Sequence, residues 1–443
     1  MKTITSSILI IFSLLLGSTA AIFAQDSKRL TATQVHTAID SIGSILASNY
    51  IFPETADQMV AKMKKGLQTN SYSTIEDPQK LAQKLTEELQ AISHDKHLRV
   101  LYDPARVAEE QQVHTAADSA AFIARRLARM KHENFGFKEV KILDGNIGYL
   151  DLRAFMDPQY AGETAVAAMN LLSNTDAIII DLRQNGGGSP KMIQLITSYL
   201  YDAEPVHLNN FYWRPTDTHT QTWTLPHISG KRNPKAAVYV LTSRRTFSAA
   251  EEFSYNLKNL ERATLIGETT GGGAHPGGVV NAAEGFRVWV PSGRAINPIT
   301  NTNWEGTGVA PHIAVKADQA LQMAQLKALE ALSEKAKDPQ LKFSYDWSLS
   351  GQRALLNPIP LSQKVLKSYT GIYGERKVSL ENGALYYQRG SGTKHLLQPM
   401  TKDKFMVEGV PYFRVQFLSK KNKVSAIKGL YDNGRTDEDL KTK

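Results

Sequence analysis

The sequence contains no cysteine. This excludes disulfides, thiolate metal sites, a cysteine nucleophile and a lipidated N-terminal cysteine, so any covalent catalysis must use a hydroxyl or an amine. Long apolar runs are also scarce. The main one, Ile8 to Leu16, is shorter than the ~18 residues a membrane-spanning helix needs. Nor is charge of one sign gathered anywhere. The 52 Lys and Arg outnumber the 43 Asp and Glu for a formal +9, but the lysines are scattered among polar residues. A basic stripe with interleaved aromatics, the footprint of nucleic-acid binding, is missing, so no nucleic-acid partner is expected. No repeat of fixed period is evident.

What is present begins with Lys2, an apolar run and a close on small residues at Thr19-Ala20-Ala21 and Ile22-Phe23-Ala24. That is the order of a secretory signal peptide over residues 1–24, predicting a mature chain from near Gln25. No second apolar stretch or stop-transfer flank follows, so an exported protein, periplasmic or extracellular, is expected rather than an anchored one. The lack of disulfides suits a bacterial exterior. A length of 443 residues predicts two or three domains.

From Thr31 to about Ile92 the pattern is helical, with Leu81, Leu85, Leu89 and Ile92 on one apolar face. At His94 to Tyr102 the period turns strand-like, and Pro104 to Lys131 reads as polar helix. Asn146 to Leu152, Ala177 to Leu182 and Ala237 to Leu241 are strand candidates, each followed by a helical pattern, as from Pro190 to Leu200. Buried β-branched runs alternating with helices argue for an α/β sheet with parallel strands. A helix from Asp318 to Lys337, with Asp318 as N-cap, closes this region, and Trp347 to Asn357 reads as loop. Short strands then follow, at Tyr369 to Tyr373, Val378 to Leu380, Ala384 to Gln388 and Phe413 to Phe417, with Asn382-Gly383 as a hairpin turn. The expected organisation is a helical N-terminal domain (25–105), an α/β catalytic domain with a mixed sheet (106–345), and a small antiparallel β domain, sandwich or barrel (361–443).

Three stretches place reactive or backbone-exposing residues at strand ends, where α/β sheets gather their sites. Asp181 to Pro190 holds Gly186, Gly187 and Gly188 between strand and helix, a geometry that presents amides to a phosphate or an oxyanion, or that serves as a tight turn. The phosphate reading lacks the Lys-Ser or Lys-Thr of a P-loop. In Ser243 to Phe253, Ser248 begins a helix. There it is a cap or, using the helix dipole and the free amide of Ala249, a nucleophile. Glu251 and Glu252 suit the first turn electrostatically and need no catalytic role. Gly267 to Gly278 is a second glycine-rich loop, with Gly272, Gly273 and His275 able to line a pocket beside that helix start.

Read together, the motifs Asp95-Lys96-His97-Leu98, Gly145 to Leu150, Asp181 to Gly188, Thr246 to Glu251, Gly267 to Gly273 and Glu305 to Pro311 resemble the tail-specific and tricorn-core serine peptidases. The branch is similar to the interphotoreceptor retinoid-binding protein and lacks a PDZ domain, for which Asp103 to Phe137 is too short and too helical. The resemblance covers about Thr31 to Lys337. It implies a ClpP/crotonase-like catalytic fold, Ser248 as nucleophile, an oxyanion hole from the amides of Ala249 and of Gly187 or Gly186, and peptide or protein substrates. The lysine base of the C-terminal-processing branch would fall at about Gly273 and is absent. The tricorn-like histidine and glutamate fall on His97 and Glu305. Lys96 stands where the tricorn core has a serine linking the two, so Glu305 is expected to orient His97 directly or through another group.

The expectation is therefore acyl transfer to water, with His97 taking the Ser248 proton and with no metal or organic cofactor. Two alternatives are a non-catalytic binding protein for an apolar ligand on the same fold and an esterase. Oligomeric state is not specified by the sequence.

Overall fold

A computed structural model describes residues 29–111 and 116–442; the segment read as an export signal lies outside them. Helices α1 (Ala32–Asn49), α2 (Pro53–Gln68) and α3 (Pro78–Ser93) come first, each started by the residue type its N-terminus favours. Thr31 and Gln34 form a reciprocal capping box on α1. Asp77 caps α3 ahead of Pro78, satisfying amides that have no partner within the helix. The leucine stripe of α3 is buried as its spacing predicts. His94 takes the left-handed conformation (φ 55°) and ends α3, turning the chain through Asp95–His97 into β1 (Arg99–Tyr102). Two further helices, α4 (Pro104–Gln111) and α5 (Ala116–His132), lead to the sheet region.

There the chain runs β2 (Phe137–Leu143), β3 (Ile147–Leu152), α6 (Pro158–Leu171), β4 (Ala177–Asp181), α7 (Pro190–Ser198), β5 (His207–Trp213), β6 (Thr218–Trp223), β7 (Ala237–Thr242), α8 (Ala249–Asn259) and β8 (Ala263–Gly267). It continues through β9 (Gly277–Asn281), β10 (Phe286–Pro291), β11 (Gly293–Ile296), β12 (Ile313–Ala314) and α9 (Ala320–Lys335) to α10 (Pro339–Leu356). The central sheet has the order β12-β8-β7-β4-β3-β2, parallel except for β2. Its period of two sorts the β-branched runs. Ile178 and Ile180 pack with the α6, α7 and α8 face, while Ala177 and Ile179 pack under Ala320, Ala324, Ala328 and Leu329 of α9. Small alanines let α9 lie close to the sheet. Asp318 sits in a preceding single 3-10 turn and α9 starts two residues later, so Asp318 is not its cap.

Two smaller antiparallel sheets complete this region: β11-β5-β6, and β1-β10-β9. The second carries α1 to α3. Phe286, Val288 and Val290 share one core with Ile39, Leu46, Leu85 and Leu98, so residue 105 does not bound a hydrophobic core. Trp347 to Asn357, read from sequence as loop, is instead the second half of α10. Its Tyr345, Leu349 and Ala354 are buried, a stripe too sparse among polar residues for the sequence pattern to reveal.

The chain ends in α11 (Gln363–Tyr369) and β13 (Gly371–Tyr373), β14 (Arg376–Glu381), β15 (Ala384–Arg389), β16 (His395–Pro399), β17 (Lys404–Val407), β18 (Phe413–Lys420), β19 (Lys423–Tyr431) and β20 (Thr436–Leu440). These eight strands form one antiparallel up-and-down sheet in chain order. A bridge between Tyr373 and Lys441 brings its two edges together, giving a near-barrel around Phe405, Phe413, Phe417 and Tyr387. Tyr369 of α11 stacks on Phe417 at 4.2 Å. The near-barrel docks on α10, where the Arg414 guanidinium lies 3.7 Å from the Trp347 ring centre.

Candidate active site

Strands β4 and β7 are neighbours, and the loops leaving their C-terminal ends carry the glycine run and Ser248. The Asn185 side chain accepts the Gly187 N–H at 2.8 Å and donates to the Leu152 carbonyl. The Asn185 carbonyl accepts the Phe247 N–H, so one buried asparagine joins both loops. Ser248 adopts φ 54°, ψ −124°, a backbone region strained for any residue with a Cβ. Gly187 (φ +109°) meets it so closely that an added Cβ would stand 2.8 Å from Ser248 Cβ and 3.0 Å from Ala249 N.

Of the residues expected to form an oxyanion hole, Ala249 and Gly186 keep amides that donate to no acceptor among the described residues. The Gly187 amide is already taken by Asn185. The role expected of Gly187 is thereby corrected: its contribution is close approach, and its donor is occupied.

Glu251 does more than suit the first turn of α8. Fully buried, its carboxylate accepts the Ser248 N–H at 2.9 Å, the Thr270 hydroxyl at 2.5 Å, and the amides of Gly272 at 2.6 Å and Gly273 at 2.9 Å. Burial raises its pKa, while these four donors oppose the rise. Gly272 and Gly273 had been expected to bind substrate; their amides are committed to this clamp instead. The first-turn position was visible in the sequence, but nothing in the spacing reveals a loop 20 residues downstream folding onto it.

His97 is nine-tenths buried, its ring 4.8 Å from the Trp289 ring in a stacked arrangement and 4.5 Å from that of Phe247, the neighbour of Ser248. Neither ring nitrogen has a hydrogen-bond partner, so the structure brings His97 beside the Ser248 turn without a bond between them. Burial lowers its pKa to about 4, against the opposing charge of Asp95, which keeps the imidazole neutral. At Gly273, where a lysine base would fall, an added Cβ would stand 2.3 Å from the Phe247 ring and 2.8 Å from His97 Cε1. The imidazole occupies the room an amine would need. Lys96 donates to the Gly271 carbonyl at 2.5 Å, tying the His97 turn to the same loop.

Glu305 is not placed on His97. Its Oε2 accepts the Ala274 N–H at 2.5 Å and lies 3.4 Å from His275 Nδ1. The carboxylate near His97 is Asp95, which accepts the His97 backbone N–H at 2.9 Å and lies 4.0 Å from its Nδ1. Asp95 also pairs with His275 at 2.8 Å. His275 was expected to line a pocket but is buried, edge-on to Phe52. Burial first, then the Asp95 charge, raises the Glu305 pKa to about 7, with His275 opposing. Asp95 stood inside the His97 motif, and its acidity two residues before the histidine was the signal available for it.

The family model for peptidase family S41 matches residues 146–315. A second, described as the N-terminal domain of peptidase S41 in eukaryotic IRBP, matches residues 29–133. Among solved structures, the chain is similar to an S41 protein of Bacteroides fragilis (20% identity, TM-score 0.39), covering 50% of this chain and only 58% of that one. A photosystem II D1 C-terminal processing protease is 14% identical, with 65% of this chain and 94% of that chain covered and a TM-score of 0.41. Mature CPAF is also 14% identical, with 68% and 97% covered and a TM-score of 0.47.

The class defined by the family matches is the serine-type peptidases, hydrolases of peptide or protein substrates. Within that class, the chain belongs to peptidase family S41. Among the described residues no helix is long and apolar enough to cross a membrane.

Proposed function

We infer that the protein is an exported peptidase in which Ser248 attacks the scissile carbonyl, His97 takes its proton, and Asp95 holds the His97 turn. The observation that carries this reading is the strained Ser248 backbone at the start of α8, set against Gly187. Strain of this kind persists where surrounding structure over-determines it, and it aims a hydroxyl out of a strand-to-helix turn. The free amides of Ala249 and Gly186 supply donors at the helix N-terminus for the developing oxyanion, and removing one such donor typically costs ~10²–10³ in rate. A neutral imidazole can accept a proton, and apo sites often tighten their hydrogen bonds only when substrate binds. In this proposal a side-chain rotation of His97 completes the contact. As the tetrahedral intermediate collapses, His97 gives the proton to the leaving amine while the C–N bond breaks to form the acyl-enzyme, and it then activates water for the second step. Glu305 acts on Asp95 through His275 and does not touch His97. Export rests on the order of charges and apolar residues over residues 1–24.

The test is labelling by a fluorophosphonate probe, with Ser248→Ala as blank, followed by peptide and ester hydrolysis. Ser248-dependent labelling with peptide turnover supports the reading. Folded protein that is never labelled sinks it in favour of a binding protein, and ester turnover without peptide turnover favours an esterase.

A further inference from the structure

Asp95, His275 and Glu305 meet beside the His97 turn, and one potential ligand atom from each lies within 4.8 Å of the others. Asp95 and His275 are buried, Glu305 nearly so. Carboxylate oxygen and imidazole nitrogen are the donors that zinc and similar divalent cations take.

Each carboxylate is already oriented by a backbone amide. Asp95 Oδ1 accepts the His97 N–H, and its Oδ2 is the atom paired with His275. Glu305 Oε2 accepts the Ala274 N–H, while its Oε1 is buried with no partner. Such outer bonds are what fix ligands at metal centres. A further donor stands at the margin: His97, 8% exposed, has both nitrogens unpartnered, with Nδ1 4.0 Å from Asp95.

Two carboxyl groups converge on the one Nδ1 of His275, so the cluster sets more oxygen donors for a cation around that nitrogen than a single N–H can satisfy. A tetrahedral ion with ~2.1 Å bonds separates its ligand atoms by roughly 3.4 Å. The His275–Glu305 separation is already 3.4 Å, while the Asp95–His275 separation of 2.8 Å must widen by about half an ångström. An ion there takes the place of the contact between His275 Nδ1 and Asp95 Oδ2.

We propose that Asp95, His275 and Glu305 form a binding site for a divalent cation of the zinc type, with His97 as the nearest further donor. The site needs no assignment of the nucleophile.

The experiment uses the full chain carrying Ser248→Ala, stripped with chelator and titrated with Co2+, read by its visible absorption bands and by proton release. One Co2+ per chain, displaced by Zn2+, with affinity at least ~10-fold weaker in His275→Gln and in Glu305→Gln, is the expected result. No stoichiometric uptake, or uptake that both substitutions leave unchanged, overturns the proposal. Zn2+ must also raise the melting temperature of Ser248→Ala protein by mass action. This readout decides the matter even if His275→Gln does not fold, and an unshifted melting temperature counts as refutation. Because every readout is taken without the nucleophile, failure of the Ser248 reading and failure of the metal site are separable.

Discussion

Gly187 and Ser248 touch where only a hydrogen fits, with 2.8 Å left between an added Cβ and the Ser248 Cβ. Gly187→Ala therefore must displace the Ser248 turn and adopt φ +109° with a side chain. We expect loss of ~10²-fold or more in kcat/KM and a lower melting temperature. Gly186→Ala is the control, since its Cβ meets nothing within 4 Å, and it should stay within a few-fold of the parent. Equal losses in both variants would refute the close-approach role.

Glu251 gathers four donors in a buried site. Glu251→Ala leaves them all unsatisfied, for a loss of roughly 3 kcal/mol or more. Glu251→Gln keeps one carbonyl oxygen and should lose less stability, yet still release either Ser248 and Gly273, which share Oε2, or Thr270 and Gly272, which share Oε1. Denaturant melts beside steady-state kinetics check this. Unchanged activity in Glu251→Gln would show that the clamp is not needed.

With the His97 pKa lowered to about 4 by burial, the proposed base is neutral from there upward. The acid limb of kcat/KM should fall near pH 4 and not near the ordinary histidine value of ~6.5. The linkage sign follows. Between those two values the unfolded chain binds a proton that the folded one refuses, so His97 makes the protein less stable as pH drops through that window. Glu305, raised to about 7, works oppositely: it favours the fold in acid and loses that contribution as pH rises through 7. Stability curves of His97→Ala and Glu305→Gln should therefore diverge from the parent with opposite slopes over overlapping windows, about 4 to 6.5 for His97 and 4.5 to about 7 for Glu305.

Arg376 in the near-barrel is buried against Asp437 at 2.5 Å and Asp439 at 3.2 Å. Both acids are partly exposed and can rehydrate, whereas the guanidinium cannot. Asp437→Ala should thus cost more stability, on the order of 3 kcal/mol, than Arg376→Met. The reverse order in calorimetry would show that the pair is not desolvated on the arginine side.

The parallel strands were readable because Ile178 to Ile180 and Val238 to Leu241 are buried on both faces and leave little else for such runs to be. Asn382-Gly383 was readable because both residues take positive φ, 48° and 81°, as a two-residue hairpin needs. The near-barrel's last strand, Thr436 to Leu440, was hidden because its inward residues are Asp437 and Asp439, which pair with buried Arg376, while Leu440 is exposed. In the site, Ser248 and the glycine loops were legible from local order. The placement of Glu305 was not, because it depends on His275 lying between Glu305 and Asp95, the second of which stands 180 residues before the histidine. No local pattern encodes that kind of meeting.

The pairing of β1 with β10 has a temporal side. Synthesis delivers His97 early, but Trp289, on which its ring stacks, leaves the ribosome only after Ser248 and the parallel strands β3, β4, β7 and β8. Until that late strand pairs with β1, His97 and Ser248 belong to separate pieces of unfinished chain.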